Sequence, residues 1–225
     1  MNRARPRTLP RAVALLALAS TLALAGCASL GSALYFLQPR QWQPPEFEFT
    51  GGRLAVLIEP ARNDFDNPLF SFAVQEKLTE ILRLQRVNID VLAPEELRRL
   101  QQANADFPRW SLQRVGREAN CNYVLYIRLR DLVLTERGDS PIISPLADFT
   151  AKLIGVDDPD DKAVLWPSSP QEREGRAFRV NRPPTERGGL ETVDREARAL
   201  AHDAARRIAK VFYKHDAEER EKPEQ

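Results

Sequence analysis

The residues of this sequence that could perform chemistry are few, and their spacing does not assemble a catalytic or metal site. The histidines, His202 and His215, are 13 residues apart, which on a helix separates them by more than three turns. The aspartates of the run 157–161 have neither the ligand spacing nor the glycine of a calcium-binding hand. We therefore expect no metal site, place His202 at the surface or rim of a helix, and interpret 157–161 as a solvated hairpin turn.

Glycine pairs do not occur where a bound phosphate would need them. A phosphate cradle follows a strand and opens a helix, whereas Gly51 and Gly52 precede the first predicted strand and Gly188 and Gly189 lie in a predicted linker. The sequence therefore predicts no nucleotide site, no cofactor and no small-molecule substrate.

The two cysteines differ in their surroundings. Cys121 lies between two asparagines, directly before an apolar run, and no histidine lies nearby in the sequence. A reactive thiol needs a group that stabilises the thiolate, so we interpret Cys121 as a buried structural thiol. Cys27 instead ends an amino-terminal apolar segment.

That amino-terminal segment has the pattern of an export signal. Residues 2–11 contain four arginines and no acid, and residues 12–25 are apolar except for Ser20 and Thr21. The apolar run is short of the roughly 20 residues that a helix needs to span a bilayer. We therefore predict a cleaved signal peptide over residues 1–26.

The four residues that end this segment, Leu24, Ala25, Gly26 and Cys27, resemble the lipobox of bacterial lipoproteins. The resemblance implies that Cys27 is lipidated, becomes the mature amino terminus and holds the chain on the periplasmic face of the cell envelope. Several acyl chains on one cysteine would anchor the chain stably. Ala28, by resemblance to sorting rules of Gram-negative cells, implies the outer membrane. The alternative is ordinary signal cleavage that leaves Cys27 unmodified.

Processing would also change the charge of the protein. The full chain has 225 residues and a formal net charge of +1, and loss of the four arginines before Cys27 leaves −3. A mildly acidic chain without a basic domain lacks the clustered lysine and arginine that displace counterions from phosphates. We therefore expect no nucleic-acid partner.

The chain after the signal peptide divides into three parts. Residues 27–52 contain prolines and aromatic residues without a period, and we interpret them as a lipidated tether that lies against the membrane surface or the domain. Residues 53–214 alternate strand and helix patterns, which predicts one periplasmic α/β domain. Residues 215–225 are interpreted as a charged tail.

Strands and helices are predicted from the period of the apolar residues. The strongest strand pattern is expected at the centre of the sheet, and the last two strands are expected to form a hairpin around the aspartate run. Residues 137–148 and 182–191 are interpreted as a loop and a linker, and the charged stretch before Asn181 carries no strand prediction. The predicted strands cover 53–59, 87–92, 123–134, 149–156 and 163–166, and the predicted helices cover 68–84, 94–104, 111–119 and 193–213.

This order predicts an α/β (α+β) fold, with a mixed sheet of about 4 to 5 strands, two or three layers and a C-terminal amphipathic helix. The segments 54–58, 91–97, 122–127 and 164–166 resemble periplasmic lipoproteins with the fold of the TolB amino-terminal domain. These include the curli secretion lipoprotein and the lipoprotein activators of penicillin-binding proteins. The resemblance covers about residues 53–214 and implies an assembly, activation or transport role without catalysis.

The leading hypothesis is therefore a non-enzymatic, membrane-anchored binding component of an envelope assembly or transport complex, whose protein partner the sequence does not name. An oligomeric secretion-channel subunit of the curli type is the first alternative, but the loop 137–148 is too short for a membrane hairpin whose strands need about 9 to 11 residues each. A periplasmic hydrolase that uses dispersed acids is the second alternative. Its candidate residues are Glu59, Asp64, Asp66 and Asp131.

Overall fold

The computed structural model describes residues 41–60, 68–134, 142–186 and 189–217. The described residues form two compact units. The main unit is Trp42–His215, and the small unit contains Gln41, Asp216 and Ala217. Within the small unit the Ala217 amide donates to the Gln41 carbonyl at 2.8 Å. The strands are β1 (Trp42–Gln43), β2 (Arg53–Glu59), β3 (Asp90–Val91), β4 (Tyr123–Val133), β5 (Ile142–Ile143), β6 (Leu146–Gly155), β7 (Val164–Trp166), β8 (Arg176–Asn181), β9 (Thr185–Glu186) and β10 (His215–Asp216). The α-helices are α1 (Pro68–Leu84), α2 (Pro94–Ala103), α3 (Leu112–Glu118) and α4 (Leu190–Ala209), and short 3-10 turns occur at Phe107–Arg109, Pro170–Glu172 and Lys210–Phe212.

A mixed sheet of six strands forms the centre of the main unit. Its order is β3, β2, β4, β6, β7, and β8 also pairs with β6. Strand β2 runs parallel to β3 and β4, and β6 runs antiparallel to β4, β7 and β8. The mixed sheet with packed helices confirms the predicted fold class, and β4 lies between β2 and β6 as the strength of its pattern predicts.

One face of the sheet is covered by α1 and α4. Because side chains alternate along a strand, Leu54 and Val56 of β2 and Ile127 of β4 point to this face. They pack with Leu78 of α1 and Leu200 of α4, and all five are buried. Burial of one such side chain stabilises the fold by about 1.5–3 kcal/mol. More side chains are buried on this face than on the other, so this layer holds the larger part of the core.

The opposite face is covered by α2, the turn Phe107–Arg109 and α3, which gives three layers. Ala55 of β2 and Val124 of β4 pack here against Leu97 of α2 and Val115 of α3. Ser111 is the N-cap of α3, and its hydroxyl accepts from the Arg114 amide at 3.2 Å, as such a residue commonly does. These helices cover only the end of the sheet where β4 begins, because the rest of this face carries more polar side chains.

Most of the predicted elements are confirmed, and the differences have physical reasons. The predicted strand 87–92 is shortened to Asp90–Val91, since it pairs only with the beginning of β2 at the edge of the sheet. Residues 176–181 form a strand that the sequence did not predict, because β6 begins at Leu146 and extends far enough to pair with it. Within the predicted loop and linker, β5 pairs with β9, and α4 begins at Leu190.

Residues 46–50, inside the segment interpreted as a tether, pack on the main unit. The Glu46 amide donates to the Val211 carbonyl at 2.8 Å. Phe49 is buried in the larger core, and the ring centres of Phe47 and Phe212 each lie 5.1 Å from its ring centre. The core of the domain therefore includes aromatic residues that precede β2.

None of the helices in the described ranges combines the length and the hydropathy needed to cross a membrane.

Candidate functional site

The predicted lipidation residues, Leu24, Ala25, Gly26 and Cys27, lie outside the described residues. Two of the dispersed acids, Asp64 and Asp66, also lie outside them. Of the other two, Glu59 forms an ion pair with Arg128, in which its Oε2 lies 3.1 Å from the Arg128 Nε. Asp131 lies further along β4, and in the antiparallel register its backbone is opposite that of Asp148 in β6.

The predicted turn at 157–161 joins β6 to β7, and its residues are exposed, which confirms the solvated hairpin turn. His202 lies half-buried on α4 and lines a cleft beside α1 with Leu69 and Phe72. His215 Nδ1 lies 3.1 Å from the Tyr213 carbonyl oxygen. Across the part of the chain that the structure describes, no group of three or more histidine, cysteine or acidic residues could hold a metal ion.

Cys121 is buried, as the sequence predicts. Its side chain lies at the end of α3 in the smaller core, and its thiol lies 3.5 Å from the Ala119 carbonyl oxygen. Burial raises the pKa of the Cys121 thiol to about 11, although the nearby positive charge of Arg53 opposes this. The thiol is therefore protonated at neutral pH and suited to packing rather than to chemistry.

A groove opens where the helical layer of α2 and α3 ends, and we call it the carboxyl-edge groove. It lies at the carboxyl end of β2, beside the middle of the parallel strand β4, and has a volume of about 540 Å³. Its apolar wall consists of Leu57 in β2, Pro60 directly after β2, Phe107 and Pro108 in the 3-10 turn, and Leu112 in α3. Ligand sites commonly lie in such a crevice at the carboxyl ends of parallel strands.

Aromatic rings from two layers meet in this groove. The rings of Phe107 and Trp110 lie 5.2 Å apart, and the Trp110 indole nitrogen donates to Asp106 at 2.9 Å. The guanidinium of Arg114 lies 4.3 Å from the Trp110 ring centre, a cation–π arrangement that holds the ring in place. Tyr126 of β4 is the third ring of the groove, and it is 8% exposed.

Two cations, Arg128 and Lys152, and the acid Glu59 are the charged groups of the groove. Arg128 Nε lies 3.0 Å from the Tyr126 hydroxyl oxygen and 3.1 Å from Glu59, so one N–H serves two acceptors. Lys152 of β6 is the direct cross-strand partner of Tyr126, and its ammonium lies 5.8 Å from the Tyr126 ring centre. Among the described residues no carboxylate lies within ion-pair distance of the Lys152 ammonium. The groove therefore contains two cations and one acid, with the acid already paired.

A second polar cluster fixes residues before β2 to the domain, and we call it the Glu46 clamp. Trp166 donates from its indole nitrogen to the Glu46 carboxylate at 3.0 Å, and Arg176 Nη1 donates to Glu46 Oε1 at 2.6 Å. Arg176 also pairs with Glu172 at 3.3 Å and lies 5.1 Å from the Trp166 ring centre. Burial raises the pKa of Glu46, but the hydrogen bonds from Trp166 and Arg176 and the charges of Arg176 and His215 outweigh it, so the pKa lies below its ordinary value of 4.5.

A third cluster ties the end of β8 to α4. Arg182 pairs with Asp203 at 2.6 Å and with Glu196 at 3.2 Å, and all three side chains are mostly shielded from solvent. Burial lowers the pKa of Arg182. The hydrogen bond and charge of Asp203, followed by those of Glu196, outweigh this effect, so the pKa of Arg182 is raised overall. Arg195 lies 3.7 Å from Glu196 and supplies a second cation, so the two carboxylates face two guanidinium groups and the network is a structural tie between elements.

Sequence reasoning did not identify the carboxyl-edge groove. Its residues come from five separate segments, and Lys152 reaches Tyr126 only through the antiparallel register of β4 and β6. The available signal was Lys152, which is the one charged residue of the predicted strand 149–156. A charged residue there indicates that part of the sheet face remains open.

A scan of protein-family models and a search of curated proteins find no match for the chain. Solved structures that the chain matches include the PelC dodecamer from Paraburkholderia phytofirmans, at 12% identity, covering 79% of this chain and 99% of that one, with a TM-score of 0.39. They also include lipoprotein GNA1162 from Neisseria meningitidis, at 12% identity, covering 70% of this chain and 97% of that one, with a TM-score of 0.38. A third is TolB from Acinetobacter baumannii, at 11% identity, covering 76% of this chain and 31% of that one, with a TM-score of 0.25. These values are too low to bear on the activity or partners of this chain.

Proposed function

We propose that this protein is a lipoprotein, anchored through Cys27 to the periplasmic face of the bacterial envelope, whose folded part is a non-enzymatic binding domain. The observation that carries the proposal is the sequence Leu24-Ala25-Gly26-Cys27, at the end of a segment in which four arginines precede an apolar run of 14 residues, 12–25. The outer membrane is the expected location, since Ala28 follows the cysteine. The domain serves an envelope assembly or transport complex.

The Glu46 clamp supports this proposal through geometry. It fixes the chain to the domain 19 residues after Cys27. A fully extended chain of that length spans at most about 65 Å, so the domain stays within that distance of the membrane that holds the lipid. A tether of this length raises the effective concentration of the domain for partners at the same membrane.

The carboxyl-edge groove supports a binding role rather than a chemical one. Its Lys152 ammonium, Arg128 guanidinium and Tyr126 hydroxyl can all donate hydrogen bonds to an anion. Two other lining groups are already engaged, since the Ser111 hydroxyl accepts from the Arg114 amide and Glu59 is paired with Arg128. The thiol of Cys121 is buried elsewhere, under α3. Donors beside aromatic rings recognise a ligand, whereas a hydrolytic site needs a nucleophile or water next to a base.

Membrane fractionation tests the proposal. The full chain is produced in a Gram-negative host and compared with Cys27→Ser, and Cys121→Ala serves as a control that removes the other thiol. We expect the wild type and the control to remain with the membrane after a high-salt wash, and Cys27→Ser to be released. Wild-type protein in the soluble periplasmic fraction would contradict the anchor.

Crosslinking then tests the binding role. Wild-type protein in native membranes is expected to crosslink reproducibly to one envelope complex, at positions around the groove. Hydrolysis of an envelope substrate by purified chain, abolished by Glu59→Gln or Asp131→Asn, would favour the hydrolase instead. Ring-shaped particles of the chain in detergent would favour the secretion-channel subunit.

A further inference from the structure

We propose that the carboxyl-edge groove binds an acidic peptide segment of a partner protein, in which a carboxylate side chain lies next to an aliphatic or aromatic one. The inference rests on the proposed binding function and names the chemistry of the partner. It is argued from three features of the groove, which are the Lys152 cation, which pairs with no carboxylate of the described residues, the aromatic rings and the apolar wall.

The first feature is the charge of the groove. The Lys152 ammonium has no carboxylate within ion-pair distance among the described residues, while Arg128 has Glu59 at 3.1 Å. The lining residues therefore carry a net charge of +1, contributed by Arg128, Lys152 and Glu59. A partly buried cation without a counterion favours an anionic ligand, because the ligand supplies the missing charge at little added desolvation cost.

The second feature is the position of the donors relative to one another. Both cations lie over the Tyr126 ring, the Arg128 guanidinium carbon at 5.5 Å and the Lys152 nitrogen at 5.8 Å from the ring centre. The Tyr126 hydroxyl oxygen accepts from Arg128, which leaves its own proton for a ligand. A carboxylate placed here has a hydroxyl, an ammonium and free guanidinium N–H groups as donors, and its oxygens accept several hydrogen bonds.

The third feature is the apolar wall, which distinguishes a peptide from a sugar. Leu57, Pro60, Pro108 and Leu112 present carbon atoms and no side-chain hydrogen-bonding groups. The hydroxyls of a uronic acid ring would lose their water there without gaining partners, which is costly. The apolar side chain of a peptide gains by the same burial, and Trp110 offers an additional flat surface.

An array of immobilised hexapeptides tests the inference. The peptides combine Glu, Gln, Leu, Phe, Lys and Ala, and the probe is the full chain in detergent micelles, both as the lipidated wild type and as Cys27→Ser. We expect retention of peptides that place Glu beside Leu or Phe, and loss of binding when Glu is replaced by Gln. Retention of neutral or basic peptides, or of none, would overturn the inference.

Matched variants assign the binding to the groove. Lys152→Gln is expected to weaken binding of the best peptide about tenfold, which corresponds to about 1.4 kcal/mol. Lys162→Gln removes an exposed lysine on the turn between β6 and β7 and is expected to leave binding unchanged. Equal binding by Lys152→Gln and the wild type, with both folded by circular dichroism, would contradict the assignment.

Two further probes separate the other occupants. Polygalacturonate supplies carboxylates on sugars, and sedimentation of the chain alone reports a second copy as occupant. Binding of polygalacturonate that depends on Lys152, without peptide binding, would overturn the peptide assignment, as would self-association abolished by Lys152→Gln. Because Cys27→Ser is tested beside the wild type, failure of the anchor and failure of the groove give different results.

Discussion

The guanidinium of Arg176 donates to the carboxylate of Glu46 at 2.6 Å, although 130 residues separate them in the sequence. Glu46 lies in the segment that would connect the lipid anchor to the domain, and Arg176 begins β8 at the sheet. The same carboxylate accepts from the indole of the buried Trp166. The segment that precedes β2 is therefore fixed to the sheet at a defined point.

Replacement of Glu46 tests this attachment. Glu46→Gln is expected to lower the free energy of unfolding by about 1 kcal/mol at neutral pH, a modest value because the carboxylate is partly exposed. Thermal or urea unfolding monitored by fluorescence measures the change. Glu48→Gln, two residues away at an exposed position, is the matched control and is expected to have little effect.

The same pair predicts a pH dependence. Because the pKa of Glu46 is lowered in the folded state, its contribution to stability is present above the ordinary value of 4.5 and is lost as the pH falls through the lower folded pKa. The stability difference between wild type and Glu46→Gln should therefore shrink as the pH falls below about 4.5. A difference that stays constant to pH 3 would contradict this role of the ionised carboxylate.

Arg182 provides a second test of polar ties. Arg182→Met is expected to cost about 2–4 kcal/mol of stability, because it leaves Glu196 and Asp203 shielded from solvent without their cation. Arg195→Met removes an exposed arginine that lies 3.7 Å from the same Glu196, and we expect a loss below about 1 kcal/mol. Equal losses in urea denaturation would show that burial of the ion pair has no influence.

Gly116 tests the close packing of α3 on the sheet. A Cβ atom there would lie 2.2 Å from Val156 Cγ2, so Gly116→Ala is expected to destabilise the fold by about 1–3 kcal/mol through overpacking. Adding Val156→Ala should restore part of the loss. Gly189→Ala, where a Cβ meets nothing within 4 Å, is the control. A stabilising Gly116→Ala would mean that helix propensity outweighs the contact.

Cys121 should react slowly in the folded protein. With its pKa raised from 9.0 to about 11, the thiolate fraction at pH 8 is about a hundredfold lower than for an ordinary thiol. The test uses the full chain carrying Cys27→Ser, so that Cys121 is the only thiol, and follows its reaction with an aromatic disulfide reagent. Similar rates for the folded and the urea-unfolded chain would contradict the burial.

The elements that the sequence predicted are those whose period shows in local residue order. The run 53–59 is apolar and β-branched, and α1 carries apolar residues at helical spacing, so both were predicted with the bounds that the structure has. Strand β8 was missed because only Phe178 and Val180 of its six residues face the larger core. Its pairing with β6 is a tertiary interaction that the period of the sequence does not reveal.

The candidate site was less predictable for the same reason. The proposed lipobox is a contiguous stretch of sequence, so the sequence alone predicts it, whereas the groove requires the register that places Lys152 beside Tyr126. The Glu46 clamp joins residues whose partners lie more than 100 positions away. Such contacts depend on the complete topology, which composition and periodicity do not determine.

Mass spectrometry of the mature protein, extracted from native membranes and compared with Cys27→Ser, tests the central proposal most directly. We expect an amino terminus at Cys27 with the added mass of a diacylglycerol and a further acyl chain, and no such mass on Cys27→Ser. An unmodified chain cleaved elsewhere, or a chain that retains residues 1–26, would contradict the lipoprotein assignment.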